Sequence, residues 1–244
     1  VPLNYLVKRE DLEYMIADAK LDVVITVGKM LEFIGGDLPK GVTALRMDEM
    51  KFKGIPPFRR AKRSPDDFLA ALLYTSGTSS RPKGVMLSAG NLVSNVEQCC
   101  EFAEFDRDDV MLGVLPQFHS FGLTVLTLCP LAAGCKVVYT ARFMPKKIIG
   151  LMREHQPSVF VAIPSMYSAL LSVKDAGPED FKSIKFLVSG AEPLSPSVFD
   201  GYRERFNVTL KEGYGLTETS PVTNWLRPRE EQGQSVGRAL PRVT

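Results

Sequence analysis

Tyr74-Thr75-Ser76-Gly77-Thr78-Ser79-Ser80-Arg81-Pro82-Lys83-Gly84 follows an apolar run, Phe68 to Tyr74, and precedes a helix-like segment that opens at Ser88. This order reads as strand, polar loop, helix. Hydroxyls and free backbone N–H groups beside a lysine suit the oxygens of a phosphate chain. An ordinary surface turn is the alternative, because Gly, Ser and Pro punctuate any loop. The buried-looking strand before the loop and its Pro-Lys-Gly ending favour phosphate. The nucleotide loop of kinases and GTPases needs Gly, four residues, then Gly-Lys-Ser/Thr. Counted from Gly77, Pro82 and Gly84 stand where Gly and Ser or Thr belong. Proline has no N–H to offer a phosphate, so phosphoryl transfer of that type is disfavoured.

Outward from this loop the chain alternates β and α patterns. Asp11 to Lys20 reads helical and Asp22 to Val27 as a strand. Lys40 to Asp66, with three prolines and many charges, reads as a long connection. After the loop, Ser88 opens a helix to about Phe102. The pattern then predicts strand Val110–Leu115, helix Gly122–Ala132 and strand Lys136–Tyr139. Helix Pro145–His155, strand Val159–Ile163 and a helix from Pro164 to Leu171 follow. Strand Lys185–Val188, a helix from Ser195-Pro196 and a short strand Asn207–Leu210 complete it. Alternation with buried apolar strands predicts an α/β fold, mostly parallel sheets flanked by helices. The polar loops mostly follow strands, where ligands bind in open α/β sheets.

Composition fits this reading. Apolar residues make up 45% of the 244, charged residues 24%, and the net charge is +2 with both signs mixed. No preference for nucleic acid follows. The longest apolar stretch, Phe121 to Ala133, is too short to span a bilayer, which leaves peripheral membrane contact open. Cys99, Cys100, Cys129 and Cys135 lack the Cys-x-x-Cys spacing of a metal site. They point to a reducing compartment, and a cytoplasmic location is expected. With His119 and His155 the only histidines, a His/Cys zinc site is disfavoured. No Gly-x-Ser-x-Gly elbow marks a hydrolase.

Four further segments carry polar residues at strand ends: Leu115-Pro116-Gln117-Phe118-His119-Ser120-Phe121-Gly122-Leu123, Ser189-Gly190-Ala191-Glu192-Pro193-Leu194, Glu212-Gly213-Tyr214-Gly215-Leu216-Thr217-Glu218-Thr219 and Ser235-Val236-Gly237-Arg238-Ala239-Leu240-Pro241. Each alone also describes a plain turn; the third reads equally as a strand-to-helix turn with a carboxylate at a helix start. Together and in this order, the five segments resemble the acyl-adenylate-forming superfamily of acyl-CoA synthetases, luciferases and peptide-synthetase adenylation domains. The resemblance runs from Val1 to Thr244. The loop departs from the family pattern at Ser79, where Thr is usual, and at Ser80, where Gly is usual.

The resemblance implies the core of the large N-terminal domain of such an enzyme. Residues 1–84 would be part of a first α/β lobe, with the connection 40–66 and the phosphate loop 75–84. Residues 85–244 would form a second lobe with the adenine and Mg²⁺ elements. A Thr-Gly-Asp element, the C-terminal lid domain and the lid lysine are expected beyond Thr244. The implied reaction makes acyl-AMP from ATP and a carboxylic acid, then a thioester with coenzyme A.

By the same resemblance, Thr75, Ser76, Gly77, Thr78, Ser79 and Lys83 would hold the phosphates. Gly190, Ala191, Glu192, Pro193, Tyr214 and Gly215 would surround adenine, the Tyr214 ring stacking on it. Thr217 would touch the α-phosphate and Glu218 would hold Mg²⁺, which favours carboxylates with phosphate oxygens. Thr217, Glu218 and Lys83 form the implied catalytic set. His119, Phe121, Gly122, Val125 and Ala162 would line the acyl pocket, with strand Phe160–Ile163 behind. No cation there pairs with a second carboxylate, so a medium- or long-chain fatty acid is the expected substrate. An aryl acid, an acyl carrier protein as thiol acceptor, and a non-catalytic nucleotide-binding relative stay open.

Overall fold

The computed structural model describes residues 1–51, 54, 64–75, 81–230 and 235–243. The chain divides into two compact units, Val1–Gly90 and Asn91–Thr244.

In the first unit, helix α1 (Arg9–Asp18) buries Leu12, Met15 and Ile16, the one-face spacing of an amphipathic helix. Strand β1 (Val23–Thr26) leads into the short helix α2 (Gly28–Phe33). The Asp48 carboxylate accepts the Gly28 N–H at the start of α2, at 3.0 Å. Strand β2 (Thr43–Arg46) runs parallel to β1, with Val23 opposite Thr43. β2 lies inside the stretch expected to be connection alone. Its short Thr-Ala-Leu-Arg pattern is hard to see beside so many prolines and charges.

The loop region is also built differently from the strand–loop–helix reading. Strand β3 (Leu69–Thr75) pairs antiparallel with β4 (Lys83–Ser88), Thr75 facing Lys83 and Tyr74 facing Gly84. A strand therefore stands between the loop and the helix, and Lys83 and Gly84 belong to it. Tyr74 fastens β3 to α1, its hydroxyl donating to the Asp18 carboxylate at 2.6 Å.

Helix α3 (Ala89–Ala103) leads into the second unit. Strand β5 (Val110–Gly113) follows, then the short helix α4 (Ser120–Leu123). α4 continues through a π-helical turn, Thr124–Leu128, into α5 (Cys129–Ala133), which Gly134 ends in the left-handed conformation. One continuous helix was expected here, and Pro130 explains the wider turn. Proline cannot donate to the carbonyl four residues back. That carbonyl, on Leu126, instead accepts the Tyr139 hydroxyl at 2.5 Å.

Strand β6 (Lys136–Tyr139), helix α6 (Pro145–His155), strand β7 (Val159–Ala162), helix α7 (Pro164–Leu171) and strand β8 (Phe186–Ser189) continue the alternation. Helix α8 (Pro196–Phe206) starts at Ser195, whose hydroxyl accepts the Val198 N–H. The strand expected at Asn207–Leu210 instead begins later, as β9 (Lys211–Gly215). Asn207 caps α8 with φ +55°, a left-handed conformation that no strand residue holds.

Strands β10 (Val222–Trp225) and β11 (Arg238–Ala239) complete a seven-stranded sheet, ordered β11-β10-β9-β8-β7-β5-β6. The run from β6 to β9 is parallel, and β10 and β11 are antiparallel at one edge. The sheet is therefore mostly parallel and flanked by helices, as the alternation predicts. β7 and β8 are buried along their whole length, as expected of the middle of a parallel sheet. Phe105, Phe186 and Trp225 meet edge to face beside them. Tyr167 and Tyr202 pack likewise, and the buried Tyr167 hydroxyl lies 2.8 Å from the Val188 carbonyl. Among the described residues no helix is long and apolar enough to cross a membrane.

Candidate active site

Every parallel strand of the second unit ends on the same side of the sheet, so the segments after β5, β8 and β9 are brought together. Three contacts join them. The Ser120 hydroxyl, at the start of α4, lies 3.1 Å from the Thr217 hydroxyl. Gly190, directly after β8, sits against the Phe121 ring: a Cβ there would come within 3.0 Å of two ring carbons. The Leu194 N–H donates to the Glu212 carboxylate at 3.0 Å, tying the loop after β8 to β9. The His119–Gly122, Gly190–Pro193 and Tyr214–Glu218 segments thus form one neighbourhood.

The loop after β8 has a tense backbone. Ala191 holds φ +70°, a region most side chains avoid and functional loops often use. Gly190 is buried, while Ala191, Glu192 and Pro193 face solvent. The Ser189 hydroxyl beneath them is buried with no hydrogen-bond partner among the described residues.

The segment after β9 is a tight excursion. Tyr214 leaves its ring half exposed. Gly215 was expected to admit a ligand, yet a Cβ there would meet the Pro221 carbonyl oxygen and carbon. The glycine is therefore needed by the returning chain itself. Thr217–Thr219 makes one 3-10 turn, and the Thr219 hydroxyl accepts the Leu216 N–H at 3.0 Å. Ser220 then holds φ +78°, and its carbonyl accepts the buried Thr124 hydroxyl at 3.0 Å. Glu218 is exposed and, among the described residues, makes no hydrogen bond or ion pair.

His119 caps α4: its Nδ1 accepts the Phe121 N–H at 3.2 Å. A neutral imidazole accepting at Nδ1 carries its proton on Nε2. The protein around the ring removes solvent and lowers its pKa. His119 is thus a neutral donor through Nε2 at neutral pH.

The remaining expected residues lie in the interior or in the first unit. Phe121, Val125 and Ala162 belong to the hydrophobic core, and Val125 and Ala162 are fully buried. Gly122 is also buried, its missing Cβ giving room to the Pro116 carbonyl. In the first unit, Thr75 and Lys83 face each other across the β3–β4 pair, and Lys83 is exposed. Ser76, Gly77, Thr78 and Ser79 lie outside the described residues. Arg81 rests its guanidinium 5.2 Å from the centre of the Tyr14 ring.

Four participants had no role in the sequence reading: Ser120, Thr124, Glu212 and Asn95. The last is 3% exposed and hydrogen-bonds both main-chain groups of Val222. Its signal was present, since Asn95 and Gln98 interrupt the face on which α3 buries Val96, Cys99 and Phe102. Buried amides on an apolar face need partners.

A divalent metal fits this donor set. Among the described residues no three His, Cys, Asp or Glu side chains are grouped to hold one. Mg²⁺ needs no such group, because it commonly uses one or two carboxylates plus substrate phosphates. The unpartnered Glu218 carboxylate beside the Thr217 hydroxyl matches that requirement.

Comparison with known proteins places the chain in a family. The family model for AMP-binding enzymes matches residues 1–244. The long-chain-fatty-acid–CoA ligase of Bacillus subtilis (strain 168) is 28% identical, covering 92% of this chain and 47% of that protein. The 4-coumarate–CoA ligase 3 of Oryza sativa subsp. japonica is 34% identical, covering 80% and 37%. ATP-bound MatB from Rhodopseudomonas palustris aligns with TM-score 0.84 at 30% identity, covering 99% of this chain and 49% of that one. The chain thus spans about half the length, or less, of the relatives it matches. With the family model covering the whole chain, and acyl-CoA ligases among its relatives, the chain belongs to the AMP-binding enzyme family.

Proposed function

We propose that the full protein activates a carboxylic acid with MgATP and passes the acyl group to coenzyme A. The observation that carries this reading is the meeting of three strand-end segments through Ser120–Thr217 and Gly190–Phe121. In the first step a carboxylate oxygen attacks the α-phosphorus, the bond to the β-phosphate oxygen breaks, and pyrophosphate leaves. In the second the thiolate sulfur attacks the acyl carbon and AMP leaves. A carboxylate is a poor acylating agent until one oxygen becomes part of a good leaving group. The protein's contribution is to position two anions and offset their charge.

In this reading Gly190, Ala191, Glu192, Pro193 and Tyr214 surround adenine, the exposed Tyr214 ring offering the stacking face, while Gly215 lets the chain turn back behind it. Thr217 touches the α-phosphate, held there by Ser120. Glu218 would hold Mg²⁺, which would offset the charge of the phosphates. Thr75, Ser76, Gly77, Thr78, Ser79 and Lys83 take the β- and γ-phosphates. His119 presents its Nε2–H towards the acyl end, with Phe121 and Gly122 as the apolar wall and Val125 and Ala162 backing it from within the core.

A medium- or long-chain fatty acid fits a wall of this kind, which carries no cation for a second carboxylate. The 4-coumarate–CoA ligases among the relatives favour an aryl acid as the second reading. The proposed setting is the cytoplasm, in keeping with four unpaired cysteines.

The deciding experiment is ATP–pyrophosphate exchange by the full-length protein with saturated fatty, hydroxycinnamic, benzoic and malonic acids. Exchange that depends on added acid, highest with the fatty acids, supports the reading. Highest exchange with an aromatic acid moves the substrate to the second reading. Exchange with none of the acids overturns the function.

A further inference from the structure

We propose that Asn95 is a positioning residue that fixes the Thr217–Glu218 turn from outside the site. The proposal rests on the reading of Thr217 and Glu218 as phosphate and metal ligands.

The excursion that carries these two residues has a neck where Gly215 of β9 faces Val222 of β10. Across it, the Leu216 N–H donates to the Pro221 carbonyl at 3.1 Å. The other edge of β10 is only partly covered, because β11 pairs with Asn224 and Trp225 and stops short of Val222. The Val222 N–H and C=O would therefore be buried without a strand neighbour. Asn95 supplies the missing neighbour. Its Nδ2 donates to the Val222 carbonyl at 2.7 Å, and its Oδ1 accepts the Val222 N–H at 3.1 Å. A carboxamide offers the same donor–acceptor pair as a peptide group, so one side chain does the work of a strand residue.

The arrangement admits one orientation. A second interaction of Nδ2 goes to the Gln98 carboxamide oxygen at 3.2 Å. Turning the amide over would set donor against donor and acceptor against acceptor at Val222. Beyond the neck the chain passes through Ser220, whose left-handed φ needs support from its surroundings. Asn95 at Val222 and Thr124 at Ser220 provide it. Both lie on the helical segments that flank β5, so the turn carrying Thr217 and Glu218 is referenced to the helical layer as well as to the sheet.

The test compares Asn95→Leu, and the smaller Asn95→Ala in case the first does not fold, with Tyr202→Phe in the full-length protein. Tyr202→Phe removes one buried hydroxyl bonded to the Tyr167 carbonyl at 3.1 Å, away from the turn. Three quantities are read: melting temperature, kcat and KM for MgATP in pyrophosphate exchange, and hydrogen exchange of the Leu216, Thr219 and Ser220 amides. We expect both Asn95 variants to lower kcat about tenfold or more with a smaller change in KM. We expect those three amides to exchange faster, and Tyr202→Phe to leave both readouts within about twofold. Asn95 variants that keep the parent kcat, or keep the three amides as protected as in the parent, overturn the proposal. If the unsubstituted protein exchanges no pyrophosphate with any acid, the adenylation reading falls. The three amide rates then decide the positioning role by themselves.

Discussion

The two units bury their strands in opposite ways. In the first, β1 faces one parallel neighbour and leaves Val23 46% and Ile25 64% exposed. In the second, Val159–Ala162 and Phe186–Ser189 are buried at every position. A two-stranded sheet has little area to bury, whereas the middle of a seven-stranded sheet is covered on both faces. The second unit therefore holds its strand ends, and the segments on them, by packing that exists before any ligand binds. Exposure then separates its residues: those inside carry stability, and those such as Tyr214 and Glu218 at the strand ends stay open to solvent.

The largest expected effect strikes the interior of the second unit. Phe186→Ala removes a fully buried ring that meets Phe105 and Trp225 edge to face. It should cost about 3–5 kcal/mol, read as a lower midpoint in urea. A change under about 1 kcal/mol would break the contrast between the units.

Glu218→Gln should do the reverse, lowering adenylation about a hundredfold or more while leaving the urea midpoint in place. Exchange activity equal to the parent at limiting Mg²⁺ would remove Glu218 from the metal assignment.

A smaller, pH-dependent effect is expected at Asp180. Arg153 bonds this buried carboxylate at 2.7 and 3.0 Å and, with the Gly177 N–H, holds its pKa below the ordinary carboxylate value. The resulting stability is complete above about pH 4 and is lost as pH falls through the lowered pKa. Asp180→Asn should melt below the parent at pH 7, and the gap should close in acid. A gap that stays constant to pH 2 would show that the charge contributes nothing.

The smallest effect belongs to the first unit. Ile25→Thr changes an exposed, β-branched position and should move stability by about 0.5 kcal/mol or less. A loss several times larger would mean that this face is covered in the full-length protein.

The alternation of β and α elements was legible because strands such as Val159–Ala162 are short apolar runs between helix-start prolines. β2 was not, since Thr43–Arg46 alternates too briefly to stand out among prolines and charges. β4 was hidden by its own motif: Lys83 and Gly84 read as loop residues until Thr75 and Tyr74 pair with them across the hairpin. The site was readable only where its motifs are contiguous. Ser120 meets Thr217 across 97 residues and Asn95 meets Val222 across 127, and no local pattern records such partners. Gly215 shows a subtler gap, because a glycine that looks reserved for a ligand is filled by the chain's own return.

The wide turn at Thr124–Leu128 fixes a direction as well as a shape. Winding the same residues as an ordinary α-helix, at about 100° each, would turn α4 relative to α5. Ser120 would swing away from Thr217 although every side chain named in the site was still present. Pro130→Ala, which returns a backbone donor facing the Leu126 carbonyl, should therefore lower adenylation although no side chain of the proposed site is changed. In that stretch the winding of the backbone between His119 and Pro130 aims Ser120 at Thr217.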